Sequence, residues 1–202
     1  MINSLKHKTI SGFTLIEIMV AVSIFSIVAV ITTGALVTAS NVNRKSQAIK
    51  LAIDNLSFAM DSMVLNLREG SRFGCLEGTV PDNANGYLTS AGAAENHLDE
   101  ECTIDGQGVI FKSERAGAVD RYVIYRFKDN GSGQGRIEKV STGDSGFIAL
   151  TSNDIDINSL RFYIPSLSGT NRTPRAVIVI EGEVPGKTPT RFNLQTTVKA
   201  NF

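Results

Sequence analysis

Near its N-terminus the chain carries a largely apolar segment. Residues 18–43 contain no formally charged side chain. This length exceeds the ~20 residues that a helix needs to span a bilayer. Lys6 and Lys8 precede the segment, and Arg44 and Lys45 follow it. The pattern predicts a membrane-spanning helix. The lysines in front favour a cytoplasmic N-terminus, and the basic pair behind weakens that preference.

A helical pattern continues beyond the apolar segment, where nonpolar side chains recur at three- and four-residue spacing. This spacing is typical of an amphipathic helix that buries one face. No proline occurs in residues 13–69, and Gly70 is a natural stop signal. We therefore predict one helix over residues 13–69. Its second half is expected to pack on a sheet through Ile49, Ala52, Ile53, Leu56, Ala59, Met60, Met63, Val64 and Leu67.

Downstream, short runs of β-branched and aromatic residues alternate with turn residues, which predicts strands. Gly-rich residues 131–135 and the Pro-Gly-Lys-Thr-Pro sequence at 185–189 predict hairpin turns, whereas residues 71–105 show the least regular pattern. No helical period follows residue 70, so an antiparallel sheet is expected, and the fold class is α+β with a long N-terminal helix on a C-terminal sheet. The predicted strands are 109–111, 122–127, 136–140, 160–164, 176–184 and 192–198.

One acidic residue interrupts the start of the apolar region. Glu17 ends the sequence Gly12-Phe13-Thr14-Leu15-Ile16-Glu17, which lies behind a short basic leader. An ionised carboxylate in a membrane-length apolar segment is costly unless a partner neutralises it. The sequence resembles the prepilin signal of the family that comprises type IV pilins and type II secretion pseudopilins. The order of leader, helix and sheet is also similar, so the resemblance implies a pilin-like fold.

The resemblance implies roles for three of these positions. Gly12 would be the last leader residue, cut on the cytoplasmic side by a membrane aspartic prepilin peptidase. Phe13 would become the new N-terminus and be N-methylated, and Glu17 would pair with the N-terminal amine of a neighbouring subunit. Physical chemistry supports the last role, because removing one member of a buried ion pair leaves the other unpaired at a cost of several kcal/mol. Such a pair therefore favours one axial stagger between helices.

The resemblance also implies an organisation for the whole chain: a leader peptide at 1–12, a transmembrane and assembly helix at 13–37, its amphipathic continuation at 38–70, and an extracytoplasmic β-rich domain at 71–202. The protein would reside in the cytoplasmic (inner) membrane as a single-pass protein before it enters a pilus or pseudopilus. Its partners would be other pilin subunits, the prepilin peptidase and N-methyltransferase, and the inner-membrane assembly machinery.

Two C-terminal runs refine this expectation. Residues 150–162 and 192–198 look like the corresponding runs of minor pilins and of J- or W-type pseudopilin-like proteins, which favours a minor pilin. The alternatives are a major pilin, a minor pseudopilin of a type II secretion system, and a pilus-tip binding module for adhesion or DNA uptake. In the last case residues 71–105 would be the recognition loop.

Two cysteines, Cys75 and Cys102, lie in the part predicted to be outside the cytoplasm, where disulfides persist. A bond between them would enclose residues 76–101 and stabilise the fold by ~3–4 kcal/mol in the chain-entropy model. Free buried thiols or a metal pair are the remaining options, although no histidine or further cysteine supports a zinc site.

Composition and motifs argue against catalysis and against cofactors. His97 has no serine or cysteine in a recognisable arrangement, no phosphate-binding glycine motif occurs, and His97 is interpreted as an exposed loop residue. With 20 basic and 20 acidic residues and no basic stripe, nucleic-acid binding is expected at most as weak DNA contact in an uptake pilus.

Neither the polar segments nor the tyrosines of the chain have the pattern of a binding site. Asn83 and Asn85, and separately residues 154–158, lack the spacing of a calcium loop and are interpreted as turns or a strand face. The tyrosines are predicted to pack within the sheet and not to form a sugar or DNA platform; they are Tyr87, Tyr122, Tyr125 and Tyr163.

Overall fold

The structure is a computed structural model. It describes residues 12–78, 80, 82, 88, 94, 96–98, 102–114, 121–131, 133–165, 175–186 and 189–199, with residues 103–105 described by their backbone alone. Contacts divide the chain into two compact units, Met1–Gln47 and Ala48–Phe202.

One helix, α1, spans Leu15–Arg68 and contributes to both units. The backbone N–H of Ile18 donates to the carbonyl of Thr14 at 3.3 Å, so Thr14 occupies the N-cap position. Arg68 lies in the last turn, where a cation complements the negative end of the helix dipole. The predicted helix is thereby confirmed, apart from small differences at its ends.

Gly70 does not end the helix in the way the sequence suggested. It is the first residue of a strand, and it is absent from the glycines with positive φ. A Cβ at this position would collide with the ring of Phe111, so glycine is needed for close packing and not for a left-handed cap.

In the part of the chain that the structure describes, eight strands form one antiparallel sheet, which confirms the predicted α+β class. Their order in the sheet is β5-β4-β3-β2-β6-β7-β8, and β1 pairs with β2 beside this path. The strands are β1 (Gly70–Glu77), β2 (Cys102–Ser113), β3 (Arg121–Asp129), β4 (Gly135–Ser141), β5 (Ile148–Ala149), β6 (Asp156–Ile164), β7 (Arg175–Val184) and β8 (Thr190–Lys199).

The expectation that residues 71–105 are irregular was partly wrong. This range contains nearly all of β1, and β2 begins at Cys102. Strand β1 lacks a clean alternation because its pairing with β2 shifts register between Ser71 and Phe73, where Arg72 has a φ of 48°.

The second half of α1 packs on one face of the sheet. Ala52, Leu56, Met63 and Leu67 belong to a single buried cluster with inward side chains of β1–β4 and β6–β8. The predicted buried face of the helix is therefore confirmed for most of its positions, but Ile53 is 56% exposed.

Polar contacts also join this part of α1 to the sheet. The Asn66 side-chain amide donates to the Tyr125 hydroxyl at 2.8 Å, and the Asn55 side chain accepts from the Ser152 backbone N–H at 3.1 Å. Burial raises the pKa of Tyr125 to about 12, although hydrogen bonds with Ser62 and Asn66 act in the opposite direction. The neutral phenol is thus favoured at this contact.

A second buried cluster lies on the opposite face of the sheet. Side chains from the end of β1 and from the described residues between β1 and β2 cover strands β2–β4 there, and they are Leu76, Val80, Leu88, Ala94 and Leu98. We call the described residues within 76–98 the cover segment; they are residues 76–78, 80, 82, 88, 94 and 96–98. Their sheet partners include Ile110, Ile124 and Val140, so strands β2–β4 are buried on both faces.

The tyrosine prediction is confirmed for two residues, since Tyr122 and Tyr125 are buried in these clusters. Tyr163 lies half-buried on β6, and Tyr87 falls outside the described residues.

Candidate functional site

The residues at the predicted cleavage site lie immediately before α1. Gly12, Phe13 and Thr14 are exposed and precede the first helical residue, Leu15, and the Phe13 side chain is 79% exposed. The backbone around Gly12 is open, because a Cβ there would meet no atom within 4 Å. The structure thus brings Gly12, Phe13 and Glu17 together at the start of the helix.

Glu17 lies in the first turn of α1 and is exposed. Its backbone N–H donates to the Thr14 hydroxyl at 3.4 Å. Thr14-Leu15-Ile16-Glu17 therefore has the Thr-x-x-Glu pattern of a capping box, which the sequence interpretation missed although the pattern was visible. A carboxylate in the first turn is also favoured by the positive end of the helix dipole.

This local role matters because it offers a second reason for an acidic residue at position 17. A capping role needs only a side-chain acceptor, which glutamine also supplies. An assembly role needs the negative charge. The two roles can consequently be separated by replacing Glu17 with glutamine.

The first half of α1 exposes nonpolar side chains around its whole circumference. From Leu15 to Gln47 every residue is exposed except Ala29, which is partly buried. By length and composition the helix is apolar enough to cross a membrane. A helix that is apolar on all sides requires lipid or neighbouring helices around it.

Five hydroxyl groups in this half are satisfied within the helix itself. Each donates to the carbonyl four residues earlier at 2.7–3.0 Å; the donors are Ser23, Ser26, Thr32, Thr33 and Thr38. In a medium without water, polar groups must find their partners inside the protein. These internal bonds make the helix compatible with lipid despite its serines and threonines.

The predicted disulfide is present between Cys75 on β1 and Cys102 on β2, whose Cα atoms lie 5.1 Å apart. Both cysteines are 2% exposed and belong to the cluster on the helix side of the sheet. Both sulfur atoms pack on Gly106, where a Cβ would collide with them. The bond therefore links the residues that flank 76–101. It lies on the helix side of the sheet, whereas the cover segment packs on the opposite face.

A buried ion pair holds the start of the cover segment. Arg126 on β3 and Glu138 on β4 are each 2% exposed, and the Arg126 Nε and Nη2 atoms donate to Glu138 Oε2 at 2.8 and 2.6 Å. Arg126 Nη1 donates to the Val80 carbonyl at 2.6 Å. The guanidinium also lies 3.6 Å from the centroid of the Phe147 ring. A charge is tolerated at this depth because it is paired and hydrogen-bonded.

Asp82 extends this network to the surface. Its carboxylate accepts from Arg126 Nη2 at 2.7 Å and from Lys128 Nζ at 2.8 Å. The hydrogen bonds from Lys128 and then Arg126 hold the pKa of Asp82 below its usual value. The described residues of the cover segment are thus attached by polar contacts at Val80 and Asp82 and by the nonpolar contacts of the second cluster.

The remaining candidate residues have structural surroundings. Asp156 Oδ1 accepts from the Gly135 backbone N–H at 2.8 Å, where β4 begins beside β6. His97 is half-buried in a turn of the cover segment, so the expectation of an exposed loop histidine was wrong. Asn83 and Asn85 lie outside the described residues.

Comparison with protein families identifies a prokaryotic N-terminal methylation motif at residues 7–33. This match includes Gly12, Phe13 and Glu17 and extends over the apolar part of α1, so it confirms the motif on which the family resemblance rests. Neither the comparison with curated proteins nor the comparison with solved structures found a match.

Proposed function

We propose, on the premise that the N-terminal methylation motif makes this chain a member of the type IV pilin and pseudopilin family, that it is a minor structural subunit of a type IV pilus-like filament. The motif implies processing by a prepilin peptidase and assembly with other pilins. The single observation that carries the proposal is the motif itself, which coincides with the start of a membrane-length apolar helix.

The apolar helix and the motif together suggest a single-pass membrane anchor before assembly. We infer that the N-terminus lies in the cytoplasm and that Gly12 is removed with the leader. Phe13 then becomes the methylated first residue. In this scheme α1 remains in the mature protein and supplies lateral contacts in the filament.

Glu17 is proposed to pair with the N-terminal amine of the adjacent subunit. The first half of α1 is nonpolar on every side, so a filament formed through it would bury Glu17 in a nonpolar core. A buried carboxylate needs an opposite charge nearby, and cleavage before Phe13 creates an ammonium group only a few residues away. The pair would select one stagger between neighbouring helices.

The test replaces Glu17 with glutamine and with alanine. Glutamine retains the capping acceptor and removes the charge, so both variants should reach the membrane while their amount in sheared filaments falls at least ~10-fold, as expected when one buried charge loses its partner. Immunoblots of membrane and filament fractions measure this loss. Mass spectrometry of the native protein should show a mature chain that begins at Phe13 with one added methyl group.

Two results would contradict the proposal. A native chain that keeps residues 1–12 in cells with an active prepilin peptidase would exclude processing at Gly12. Normal filament incorporation of Glu17→Gln, with reduced incorporation of Glu17→Ala, would assign Glu17 to helix capping alone.

The minor-pilin assignment rests on the similarity of residues 150–162 and 192–198 to minor pilins. A low copy number in sheared filaments supports it, whereas a dominant band would indicate a major pilin. Loss of protein export on deletion would instead favour the type II secretion alternative, and loss of adhesion or DNA uptake with unchanged pilus number would favour a tip module.

A further inference from the structure

Strands β6, β7 and β8 have one face that does not contact α1. Ala176, Ile178 and Ile180 of β7 point into the helix-side cluster, so the alternate residues of β7 point to the other face. The register of β7 with β6 and β8 determines which side chains lie beside those of β7 on that face. We call it the open face, and its residues are Arg161, Tyr163, Arg175, Val177, Val179, Glu181, Asn193, Gln195, Thr197 and Lys199.

Along β7 the open face is nonpolar in the middle and carries opposite charges at its two ends. Along β7 it presents Arg175, Val177, Val179 and Glu181 in this order. Both valines are half-buried, and Tyr163 lies directly beside Val177 in the pairing with β6. The order of charges makes the face directional along the strand.

The basic end is strengthened by strand pairing. Arg175 lies directly opposite Lys199 of β8, and both side chains are exposed. Like charges at opposed positions of an antiparallel pair are destabilising. An anionic group placed against this end would relieve that repulsion.

The pattern on β7 is complementary to itself. A two-fold axis that lies across the strands, between Val177 and Val179, would place Arg175 of one copy against Glu181 of a second copy. The same operation would bring Val177 of one copy to Val179 of the other. The charges would therefore pair twice around a nonpolar centre, as a two-fold symmetric contact requires.

Residues of β6 would form a further complementary contact between the two copies. Arg161 lies beside Val179, and Tyr163 lies beside Val177. The same axis would thus place Arg161 of one copy over the Tyr163 ring of the second copy, an arrangement that favours a cation–π contact. We propose that the open face is a contact surface between two copies of this chain, related by this two-fold axis.

The size of the face determines how strong the contact is. Three strands at ~4.8 Å spacing and four rows of side chains at ~6.8 Å spacing cover roughly 400 Å². Stable complexes bury about 800 Å² on each partner. The contact is consequently weak between freely diffusing chains, and it gains strength where a membrane or a filament confines the copies.

The experiment uses charge reversal in the full-length chain in detergent micelles. Arg175→Glu and Glu181→Arg should each reduce the dimer association constant about tenfold, because each creates two like-charge contacts across the axis. An equimolar mixture of the two variants should recover wild-type association to within about twofold, since every 175–181 contact in the mixed dimer again joins opposite charges. Sedimentation equilibrium and chemical cross-linking measure the dimer.

The mixture controls for folding, and Arg121→Glu controls for the change of net charge. Arg121 is an exposed arginine at the start of β3 and lies outside the open face. Dimerisation that is unaffected by Arg175→Glu or by Glu181→Arg would overturn the proposal. A mixture of these two variants that does not recover wild-type association would also overturn it. A monomeric wild-type chain would overturn it as well. None of these outcomes depends on cleavage at Gly12, so the proposed filament function is tested separately.

Discussion

Gly74 illustrates how one residue controls the position of the cover segment. A Cβ at this position in β1 would overlap the carbonyl oxygen of His97 and approach Leu98, which are both backbone contacts of the cover segment. Neither group is the end of a flexible side chain, so a substituent can be accommodated only if the cover segment moves away from the sheet. Gly74 is therefore a packing glycine, and it is not among the glycines with positive φ.

Gly74→Ala should lower the free energy of unfolding by about 3 kcal/mol, at the upper end of the usual cost of overpacking. Denaturant titration of the full-length chain measures the change. Gly146→Ala is the matched control, because a Cβ there would meet no atom within 4 Å, and its effect should stay within about 0.5 kcal/mol. Equal unfolding midpoints for the two variants would show that the cover segment does not pack against Gly74.

At the scale of elements, α1 contains two chemically different parts. Residues 18–39 expose mostly nonpolar side chains on all sides, whereas residues 48–68 bury one face against the sheet. In the second part, Leu56 is 2% exposed and Leu51 is 68% exposed. The three- and four-residue spacing placed Leu56 on the predicted packing face and left Leu51 off it, and the contact of Leu56 with the sheet confirms this difference.

Leu56→Ala should therefore destabilise the domain by about 2–5 kcal/mol, because it removes buried methyl groups and leaves a cavity. Leu51→Ala removes the same atoms from an exposed position and should change the free energy of unfolding by less than about 0.5 kcal/mol. Thermal and denaturant unfolding of both variants provide the comparison. Similar losses for the two would mean that α1 does not pack on the sheet through Leu56.

At the scale of the whole molecule, the sheet is covered differently on its two faces. The second half of α1 covers the helix side, and the cover segment covers strands β2–β4 on the other side. The Cys75–Cys102 bond joins the ends of the 76–101 segment and is itself buried on the helix side. The disulfide is thus a structural tether that solvent does not reach.

Replacing both cysteines with serine should lower the free energy of unfolding by ~3–4 kcal/mol, because the unfolded chain gains the entropy of an open loop. Hydrogen exchange should accelerate in the cover segment more than in β6–β8, which pair with one another independently of the bond. Mass spectrometry of peptides from the two regions measures the difference. Uniform acceleration in both regions would indicate that the bond stabilises the sheet as one cooperative unit.

The sequence predicted long, regular elements well and short, packed ones poorly. Helix α1 and six strands could be predicted because their hydrophobic periods persist over many residues. Strand β1 was missed because it carries a register shift at Arg72 and two glycines, and β5 was missed because it has only two residues. The sequence predicted the motif of the N-terminal site. It did not lead to the helix-capping contact of Thr14, although that contact is local.

By itself, the sequence determined the N-terminal methylation motif, the membrane-length apolar helix and the α+β class, because each is written in consecutive residues or in a local period. It also supplied the two cysteines. Only the tertiary structure decided that the cover segment packs on strands β2–β4 at the second face of the sheet, since that depends on contacts between distant residues such as Arg126 and Val80. The alignment of Arg175, Val177, Val179 and Glu181 with the side chains of β6 and β8 likewise follows from strand register, which no local pattern specifies.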